Sequence, residues 1–397
     1  MAKPTYSKKS PLTSDQKDSI IEKGNEDVAR FLEERAIKIF STMINFDGGQ
    51  KLIWNSPVFN IRYSNPASGV TYNTENSLIL SLLSEKEEYE NPFYLTAKQG
   101  YDAGLSNKGE KSNYIVHRFG MKFGLVTEKN DLTGKMEPKK DENGNFQEIF
   151  KRACKLTPVF NIGQFQGEIP EKFKKIMASN MPKIPTPEEV NTVLQALLET
   201  MPTELKRVIS ADGKHNFYSP SIDKITMAPS NMFKSKLHEL STLLHEVSHS
   251  YGHETRKNRE SLKKYSEDNS FRAYEEIVAN LSAQAIIKHF NFAIPEDLKP
   301  ELDKSFFENH LNYDAGWAIT GLQKDPMLIF RASSDAGRTA NEMIFKLEEN
   351  LKLKYENDST LEISDFIKER LSIKIDNDEE KEHTATAKSK TANKIKP

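Results

Sequence analysis

The sequence predicts an α+β protein with two domains: an N-terminal domain of mixed helices and strands, and a mainly helical second domain. Its 397 residues exceed the length of most single domains. Residues 168–187 contain four prolines in a lysine-rich setting, which is typical of a linker. Strand-like and aromatic runs precede this segment, whereas long helical patterns follow it. We therefore expect domains at 14–167 and 188–372, joined by the linker 168–187.

The composition is that of a soluble protein. Hydrophobic residues make up 37% and charged residues 29% of the chain, and the mean hydropathy is −0.66. No apolar run approaches the length of a membrane span, and the N-terminus lacks the apolar core of a secretory signal. Cys154 is the only cysteine, which excludes a disulfide framework and a cysteine-built zinc site. We expect a cytoplasmic protein with no membrane partner.

The first domain begins with a long helical pattern from Ser14 to Ile44, with a candidate break at Gly24. A block dense in aromatic and turn residues follows, and residues 131–145 read as a long exposed loop or a hairpin. Further elements are predicted as strands at Pro57 to Tyr63, Asn113 to Val116 and Leu156 to Ile162, and as helices at Glu75 to Leu83 and Thr96 to Ala103.

The second domain opens with a helix that Thr186 caps and Pro187 starts. Asn216 to Met227 predicts two short strands joined by a turn. Besides the helix treated next, further helices are expected at Ala273 to Phe290, Phe306 to Leu322, Met327 to Leu351 and Ile363 to Leu371. Residues 373–397 divide into an acidic part and a lysine-rich part, and we expect this charged tail to be disordered.

One predicted helix carries the residues of a metal site. The stretch 237–255 reads LHELSTLLHEVSHSYGHET, with leucines at three- and four-residue steps that place one face in a core. His245 and His249 lie one turn apart on the same face, close enough to bind one ion, and Glu246 can reach a water on that ion. Gly252 is expected to end the helix as a left-handed C-cap. In the alternative interpretation, the two histidines are ordinary polar residues beside a core.

Two histidines leave a tetrahedral ion short of ligands, so a third ligand is expected elsewhere. Thr255 occupies the position six residues after His249 where one known pattern has a histidine, which excludes that pattern. A glutamate on the following helix is the other solution, and Glu276, 27 residues after His249, is favoured over Glu275. Asn280 lies one turn later and could bind a ligand histidine. In the alternative, both glutamates are solvated on an outer face.

Two further histidines flank this pattern. His238 lies two turns before His245 and is expected at the surface. His253 follows the predicted end of the helix and is a weaker candidate for donating to a transition-state oxyanion.

Several short motifs occur in a fixed order: NPASGVTYNTEN from Asn65, NPFYLTAKQG from Asn91, KGEKS from Lys108, then YSPSIDKITMAP, LLHEVSHSYGH and AYEEIVAN. With these motifs, most of residues 50–345 resembles the ArdC-type antirestriction proteins of plasmids and other mobile elements. That family pairs an N-terminal single-strand DNA-binding domain with a C-terminal zincin-like metallopeptidase domain. The chain departs from it at Tyr94, where tryptophan is usual, at Asn280, where a carboxylate is common, and in the 131–145 insertion.

The resemblance implies that the first domain binds single-stranded DNA. Between residues 51 and 128 the charges balance, eight of each sign. Cations and aromatics interleave there, as in a groove that binds phosphates and stacks bases. The candidate DNA contacts are Tyr94, Lys98, Lys108, Lys111, Tyr114 and Arg118. Without the resemblance, core aromatics and solvated lysines would be the better interpretation.

Two functions stay open. In the first, the protein is a DNA-binding zinc metallopeptidase: His245, His249 and Glu276 hold Zn²⁺, Glu246 is the general base, and a host protein is the candidate substrate. In the second, a non-catalytic protein coats single strands and the metal only braces the fold. A third function, replication accessory protein, would need a primase or helicase signature, and we find none in the sequence, nor a phosphate-cradling glycine loop.

Overall fold

The computed structural model describes residues 12–44, 61–89, 91–130, 133–295, 297–298, 321–358, 360–364 and 366–371. Its helices are α1 (Ser14–Ile44), α2 (Thr74–Lys86), α3 (Ala97–Asp102), α4 (Glu171–Asn180), α5 (Pro187–Thr200), α6 (Lys236–Ser250), α7 (Glu260–Lys263), α8 (Asn269–His289) and α9 (Leu328–Asn357). Its strands are β1 (Tyr94–Leu95), β2 (Asn113–Leu125), β3 (Thr127–Lys129), β4 (Met136–Pro138), β5 (Glu148–Asn161), β6 (Lys206–Ile209), β7 (Phe217–Ser219) and β8 (Lys224–Met227). The α+β prediction is confirmed.

Some predictions fall wholly or partly outside the described residues. Of the strand expected at 57–63, only 61–63 are described, and these three residues are not in a strand. Of the helix expected at 306–322, only 321 and 322 are described, and both are helical. The tail 373–397 lies outside the described residues. Among the described helices, none is both long and apolar enough to cross a lipid bilayer.

The N-terminal sheet is built on one long antiparallel pair. β5 lies between β1 and β2, and β2 pairs with β5 from Asn113↔Val159 to Leu125↔Glu148. Both strands extend well beyond the predicted segments, because the residues of the outer half of β5 are exposed and give no apolar pattern. The excursion between the two strands carries the β3–β4 hairpin, which confirms a hairpin in this region.

Helix α1 packs across β5 without a break at Gly24. A Cβ atom at Gly24 would lie only 2.2 Å from the carbonyl oxygen of Cys154, so the glycine permits a close approach of helix and strand. The Cys154 thiol also donates to the Asn25 side chain, 3.0 Å away. The glycine that suggested a break is therefore a packing contact.

The second domain has a helical core flanked by a small sheet. Leu240, Leu243 and Leu244 of α6 are fully buried, in a cluster that also includes side chains of α5, α8 and α9. β7 and β8 form the predicted pair, joined by a turn. β6 pairs in parallel with β8 and was not predicted, because its four residues are mostly exposed and show no alternation.

The segment predicted as a linker contains helix α4, whose Phe173 is buried against Phe93 and Leu95 of the first domain. Residues 171–180 of the predicted linker are therefore helical and packed on the first domain, since one apolar face is enough to attach a short helix. Helices α1 and α2 also share a buried cluster with α8 and α9, in which Val28 and Leu78 lie with Ile277 and Leu328. The two parts of the chain are packed together.

Candidate metal centre

Helix α6 is buried on all sides. Ser235 accepts a hydrogen bond from the backbone N–H of His238 at its start, and every residue from 237 to 250 is buried. The expected amphipathic helix is thus covered on its polar face as well, because α8 packs there. His238, expected at the surface, is only 9% exposed and lies edge-on to Phe233. That expectation is wrong.

The end of α6 differs from the prediction. Tyr251 is the C-cap with right-handed helical φ and ψ, and Gly252 is not among the glycines with positive φ. A Cβ at position 252 would lie 2.8–2.9 Å from the guanidinium atoms of Arg259. Gly252 is therefore needed for the close approach of Arg259 and not for a left-handed cap.

Three side chains converge at the crossing of α6 and α8. Nε2 of His245 and Nε2 of His249 lie 3.0 Å apart. The carboxylate oxygens of Glu276 lie 3.5 Å from the first and 3.6 Å from the second of these nitrogens. Two ligands at normal zinc distances in a tetrahedral arrangement are about 3.3 Å apart. The spacing of these three groups therefore fits one small divalent cation.

The partners of the histidines determine which ring nitrogens are available. Nδ1 of His245 lies 2.9 Å from Oδ1 of Asn280, and Nδ1 of His249 lies 3.3 Å from Oε1 of Glu275. Both acceptors favour a proton on Nδ1, which leaves the lone pair on each Nε2. Two such lone pairs and a carboxylate in one buried space repel each other unless a cation lies between them.

Glu275 and Glu276 have separate roles in this arrangement, although both are buried, at 0% and 1% exposed. Their expected alternative, solvation on an outer face, is wrong. Glu275 accepts from Arg259 Nε at 2.9 Å and from Ser261 Oγ at 2.7 Å. Burial by itself would raise the pKa of Glu275, but Arg259 and His249 lower it to about 2. Glu275 thus contacts Nδ1 of His249, on the side of the ring away from the cluster, whereas Glu276 faces both Nε2 atoms.

Tyr265 and Glu246 complete the surroundings. The Tyr265 hydroxyl donates to Oε1 of Glu276, and burial and the Glu276 charge raise the pKa of this phenol far above its usual value. Glu246 is 4% exposed and follows His245 on α6. Burial alone would lower the pKa of His245, but Glu276 and Glu246 raise it. A proton and a metal cation therefore compete for His245.

His253 lies in the loop after α6, where its Nδ1 is 2.9 Å from Oγ1 of Thr255. No described contact joins His253 to His245, His249 or Glu276. The sequence missed Arg259 and Tyr265, which lie in the polar loop and short helix between α6 and α8. No local pattern signals their contacts, because they arise only from the packing of that loop.

The six predicted DNA contacts are not equivalent. Tyr94 is fully buried, its hydroxyl lies 2.8 Å from Ser84 Oγ, and it packs against Tyr63 and Tyr89. It cannot stack on a base, because the apolar face of β1 is part of the core. Arg118 is half-exposed but is paired with Glu75 through two hydrogen bonds, the shorter 2.7 Å.

The other four candidates reach solvent. The side chain of Lys98 is 81% exposed and pairs with Asp102, and Lys108 and Lys111 are exposed. Tyr114 is 40% exposed, with its ring edge-on to Phe31.

A second aromatic surface lies on the β2–β5 pair. The rings of His117 and Phe119 stack with centroids 5.5 Å apart, and Lys155 Nζ lies 5.6 Å from the centre of the Phe119 ring. Lys151 lies 4.1 Å from the centre of the Phe123 ring in the same strand pair. We call His117, Phe119 and Lys155 the ribbon strip. The sequence signal for it was the alternation of ring and cation along β2.

Family models match both parts of the chain. Residues 38–160 match the N-terminal domain of the anti-restriction factor ArdC, and residues 196–335 match a zincin-like metallopeptidase. The crystal structure of the antirestriction protein ArdC from plasmid R388, metal-free, aligns with a TM-score of 0.53 and 21% identity, covering 81% of this chain and 97% of that one. Its Mn(II)-bound structure aligns with a TM-score of 0.51 and 22% identity, with the same coverage.

Two curated proteins are also similar. A DNA primase TraC of Escherichia coli is 28% identical over 280 residues, which cover 68% of this chain but only 23% of the primase. The Sinorhizobium fredii protein y4eC is 25% identical over 281 residues, covering 70% of this chain and 80% of that protein. The chain thus spans less than a quarter of the length of the primase it matches.

Proposed function

The chain belongs to the ArdC-type antirestriction family, and on this basis we propose that it is a mobile-element protein that binds single-stranded DNA and hydrolyses peptide bonds at a zinc centre. The observation that carries the catalytic half is the convergence of two histidine Nε2 atoms and one carboxylate, 3.0–3.6 Å apart in a buried space. Two imidazoles and one carboxylate form a donor set that suits zinc and leaves a coordination position for substrate or water.

In this proposal His245, His249 and Glu276 hold the ion. Glu246 acts as general base toward the attacking water and then as general acid. A zinc ion there would supply a Lewis acid for the peptide carbonyl. Glu246 accepts a proton from the attacking water and delivers it to the amine of the departing peptide. Asn280 and Glu275 fix the two imidazole rings by accepting from their Nδ1 atoms.

Metal analysis tests the centre directly. We expect one divalent ion, zinc, per chain of the purified protein, and less than a tenth of that in His245→Ala. A chelator should lower the Tm of the unsubstituted protein, because ligand binding to the folded state adds to its stability. The Tm of His245→Ala should not respond to the chelator. His253→Ala is the matched control, since His253 lies outside the three-ligand cluster, and it should keep its metal. A metal-free unsubstituted chain with an unchanged melt would contradict the centre.

For DNA, we propose that single strands bind across Lys108, Lys111 and the ribbon strip. Exposed lysines bind phosphates, and exposed rings offer stacking faces to unpaired bases, which duplex DNA cannot present in the same way. Tyr94 is left out because of its burial. Arg118 is left out because Glu75 already pairs with it.

The DNA proposal is tested on the full chain, because α1 and α2 share a core with α8 and α9 and an isolated first domain would expose that surface. A labelled oligonucleotide should bind more tightly single-stranded than in duplex. Lys108→Ala/Lys111→Ala should reduce the salt dependence of log K by about 1.4, roughly 0.7 for each phosphate that the lysines no longer neutralise. His117→Ala/Phe119→Ala should weaken binding by about 1–3 kcal/mol for each base that no longer stacks on a ring.

Tyr94→Phe is the control and should bind like the unsubstituted chain. The same titrations on a chain ending at residue 372 separate the contribution of the lysine-rich tail. A preference for duplex, or equal binding by all variants, would rule out this surface.

The non-catalytic alternative, a strand-coating protein with a structural metal, makes the same metal and DNA predictions and differs only in hydrolysis. The similarity to TraC extends over only 23% of that primase, so we do not infer primase activity for this chain.

A further inference from the structure

A cavity of about 370 Å³ lies between the N-terminal domain and helices α8 and α9. Residues 71–78, which include the start of α2, form one wall, and α8 and α9 form the opposite one. None of the residues placed at the metal centre lines it. Its volume is at the lower end of the range of small-ligand pockets, roughly 300–1,000 Å³.

The wall of this cavity is strongly basic. Arg62, Lys288 and Arg370 line it, and no acidic residue is among the described residues that do. Glu348 lies behind them and accepts from Arg370 Nε at 2.8 Å and from His289 Nε2 at 3.0 Å. Burial lowers the pKa of His289 to about 4, so this histidine is neutral at pH 7. Glu348 therefore offsets part of the charge of Arg370 and Arg62, whereas no described carboxylate lies beside Lys288.

Two of these cations have unmet capacity for hydrogen bonds. Arg62 is 5% exposed; its Nε donates to Thr71 Oγ1 at 2.7 Å, but its buried Nη1 has no partner within the described chain. Lys288 forms no ion pair or hydrogen bond with any described residue, and burial alone lowers its pKa to about 7. A buried guanidinium nitrogen and a part-buried ammonium group that lack an acceptor are costly, and an anion between them would reduce that cost.

The remaining lining indicates what kind of anion fits. The N-terminus of α2 begins at Thr74, and helix N-termini bind phosphate through free N–H groups and the helix dipole. Leu78, Leu281 and Ile344 give the cavity an apolar wall, which a bare inorganic ion would not use. Gln284 and Asn341 add carboxamides, the side chains that pair with base edges.

From this combination we propose that the cavity between the domains binds the phosphomonoester of a nucleotide, with the phosphate among Arg62, Lys288 and Arg370 and the base against Leu78, Leu281 and Ile344. The nucleotide is either free or the 5′-phosphorylated end of a DNA strand. This site is separate from the metal centre and from the ribbon strip. The nucleotide proposal would therefore still hold if the metal proposal or the DNA proposal were disproved.

The test is calorimetric titration of the full chain with 2′-deoxyadenosine 5′-monophosphate, inorganic phosphate and deoxyadenosine. The nucleotide should bind with 1:1 stoichiometry, more tightly than phosphate, and deoxyadenosine should bind most weakly. Lys288→Met should weaken nucleotide binding about 10- to 100-fold, the effect of losing one charged hydrogen bond. It should also raise the Tm of the ligand-free protein, because it removes a part-buried charge that has no partner among the described residues. Lys172→Met, at an exposed lysine of α4, is the matched control and should change neither.

Further variants keep the proposal testable if Lys288→Met folds poorly. Arg370→Gln changes a part-exposed residue at the same cavity and should weaken binding similarly. His245→Ala should leave the affinity unchanged, which excludes a metal ion as the phosphate site. Tighter binding of a 5′-phosphorylated than of a 5′-hydroxyl oligonucleotide would identify a strand end as the ligand, and binding of the free nucleotide alone would identify the free form. No saturable binding by any phosphate compound, or equal binding by Lys288→Met, would overturn the site.

Discussion

Glu246→Gln should leave the metal and the fold in place and lower peptide hydrolysis by about 10²- to 10⁴-fold, the usual contribution of a general base. The amide has nearly the shape of the carboxylate but cannot accept the proton of water. Glu246 is not among the three groups that converge on the candidate ion, so its loss should not release the metal. Hydrolysis is measured with unfolded, fluorescein-labelled casein, and metal content by elemental analysis of the same preparation.

The same helix offers a matched control. Glu239 is also buried on α6, but it pairs with Lys236 at 2.9 Å and lies outside the metal cluster. Glu239→Gln should therefore hydrolyse casein at the unsubstituted rate. Loss of metal from Glu246→Gln would make Glu246 a ligand. If the unsubstituted, metal-loaded chain does not hydrolyse casein at all, the strand-coating alternative is favoured.

Arg259→Met should be among the most destabilising single substitutions in the second domain. Arg259 and Glu275 are 5% and 0% exposed, and Arg259 also donates to the backbone oxygen of Ser248 at 2.8 Å. Removing one partner of a buried ion pair leaves the other charge without compensation, which typically costs about 3–5 kcal/mol. The free energy of unfolding, measured by urea denaturation at pH 7 with a fixed metal concentration, should fall by about that amount.

Two comparisons distinguish this ion pair from a general packing effect. Adding Glu275→Gln to Arg259→Met should restore roughly half of the lost free energy, because it removes the unpaired carboxylate. Lys257→Met is the control, since its ion pair with Glu342 is at the surface and worth at most about 1 kcal/mol. A double variant no more stable than Arg259→Met would assign the loss to packing.

The contribution of Glu275 to folding stability depends on pH. With Arg259 present, the pKa of Glu275 is about 2, below its ordinary value of 4.5. The ionised carboxylate therefore stabilises the fold above pH 4.5, and this contribution is lost as the pH falls toward 2. In Arg259→Met, burial should raise the pKa of Glu275. As the pH falls, the carboxylate is therefore protonated, which removes its uncompensated buried charge and restores part of the lost stability. The difference in stability between the two proteins should narrow from pH 7 to pH 4.5.

Local sequence patterns were sufficient to predict the helices that carry the candidate metal ligands. The spacing of His245 and His249 is one helical turn, and this geometry depends only on the backbone. The capping box at Thr186 and the apolar periodicity of α8 likewise act within one segment. The prediction that Asn280 binds one of the two histidines is confirmed for His245, since Asn280 follows Glu276 by one turn on the same face.

Only the tertiary structure determined which of two adjacent residues on α8 faces the histidines. Glu275 and Glu276 differ by about 100° around the helix axis, so the packing of α8 against α6 determines which one faces both Nε2 atoms. The same holds for Gly252, whose partner Arg259 lies seven residues later in a loop.

The burial of individual side chains also could not be predicted from the sequence. Tyr94 carries the same chemistry as an exposed tyrosine, and its position under β5 and α2 makes it part of the core. Likewise, Arg62 and Lys288 lie 226 positions apart in the chain, and no sequence motif links them. They line one cavity because α1 and α2 pack on α8 and α9 through apolar contacts that leave no signature in either segment alone. Sequence periodicity determines which face of an element is apolar, but which elements meet depends on long-range packing.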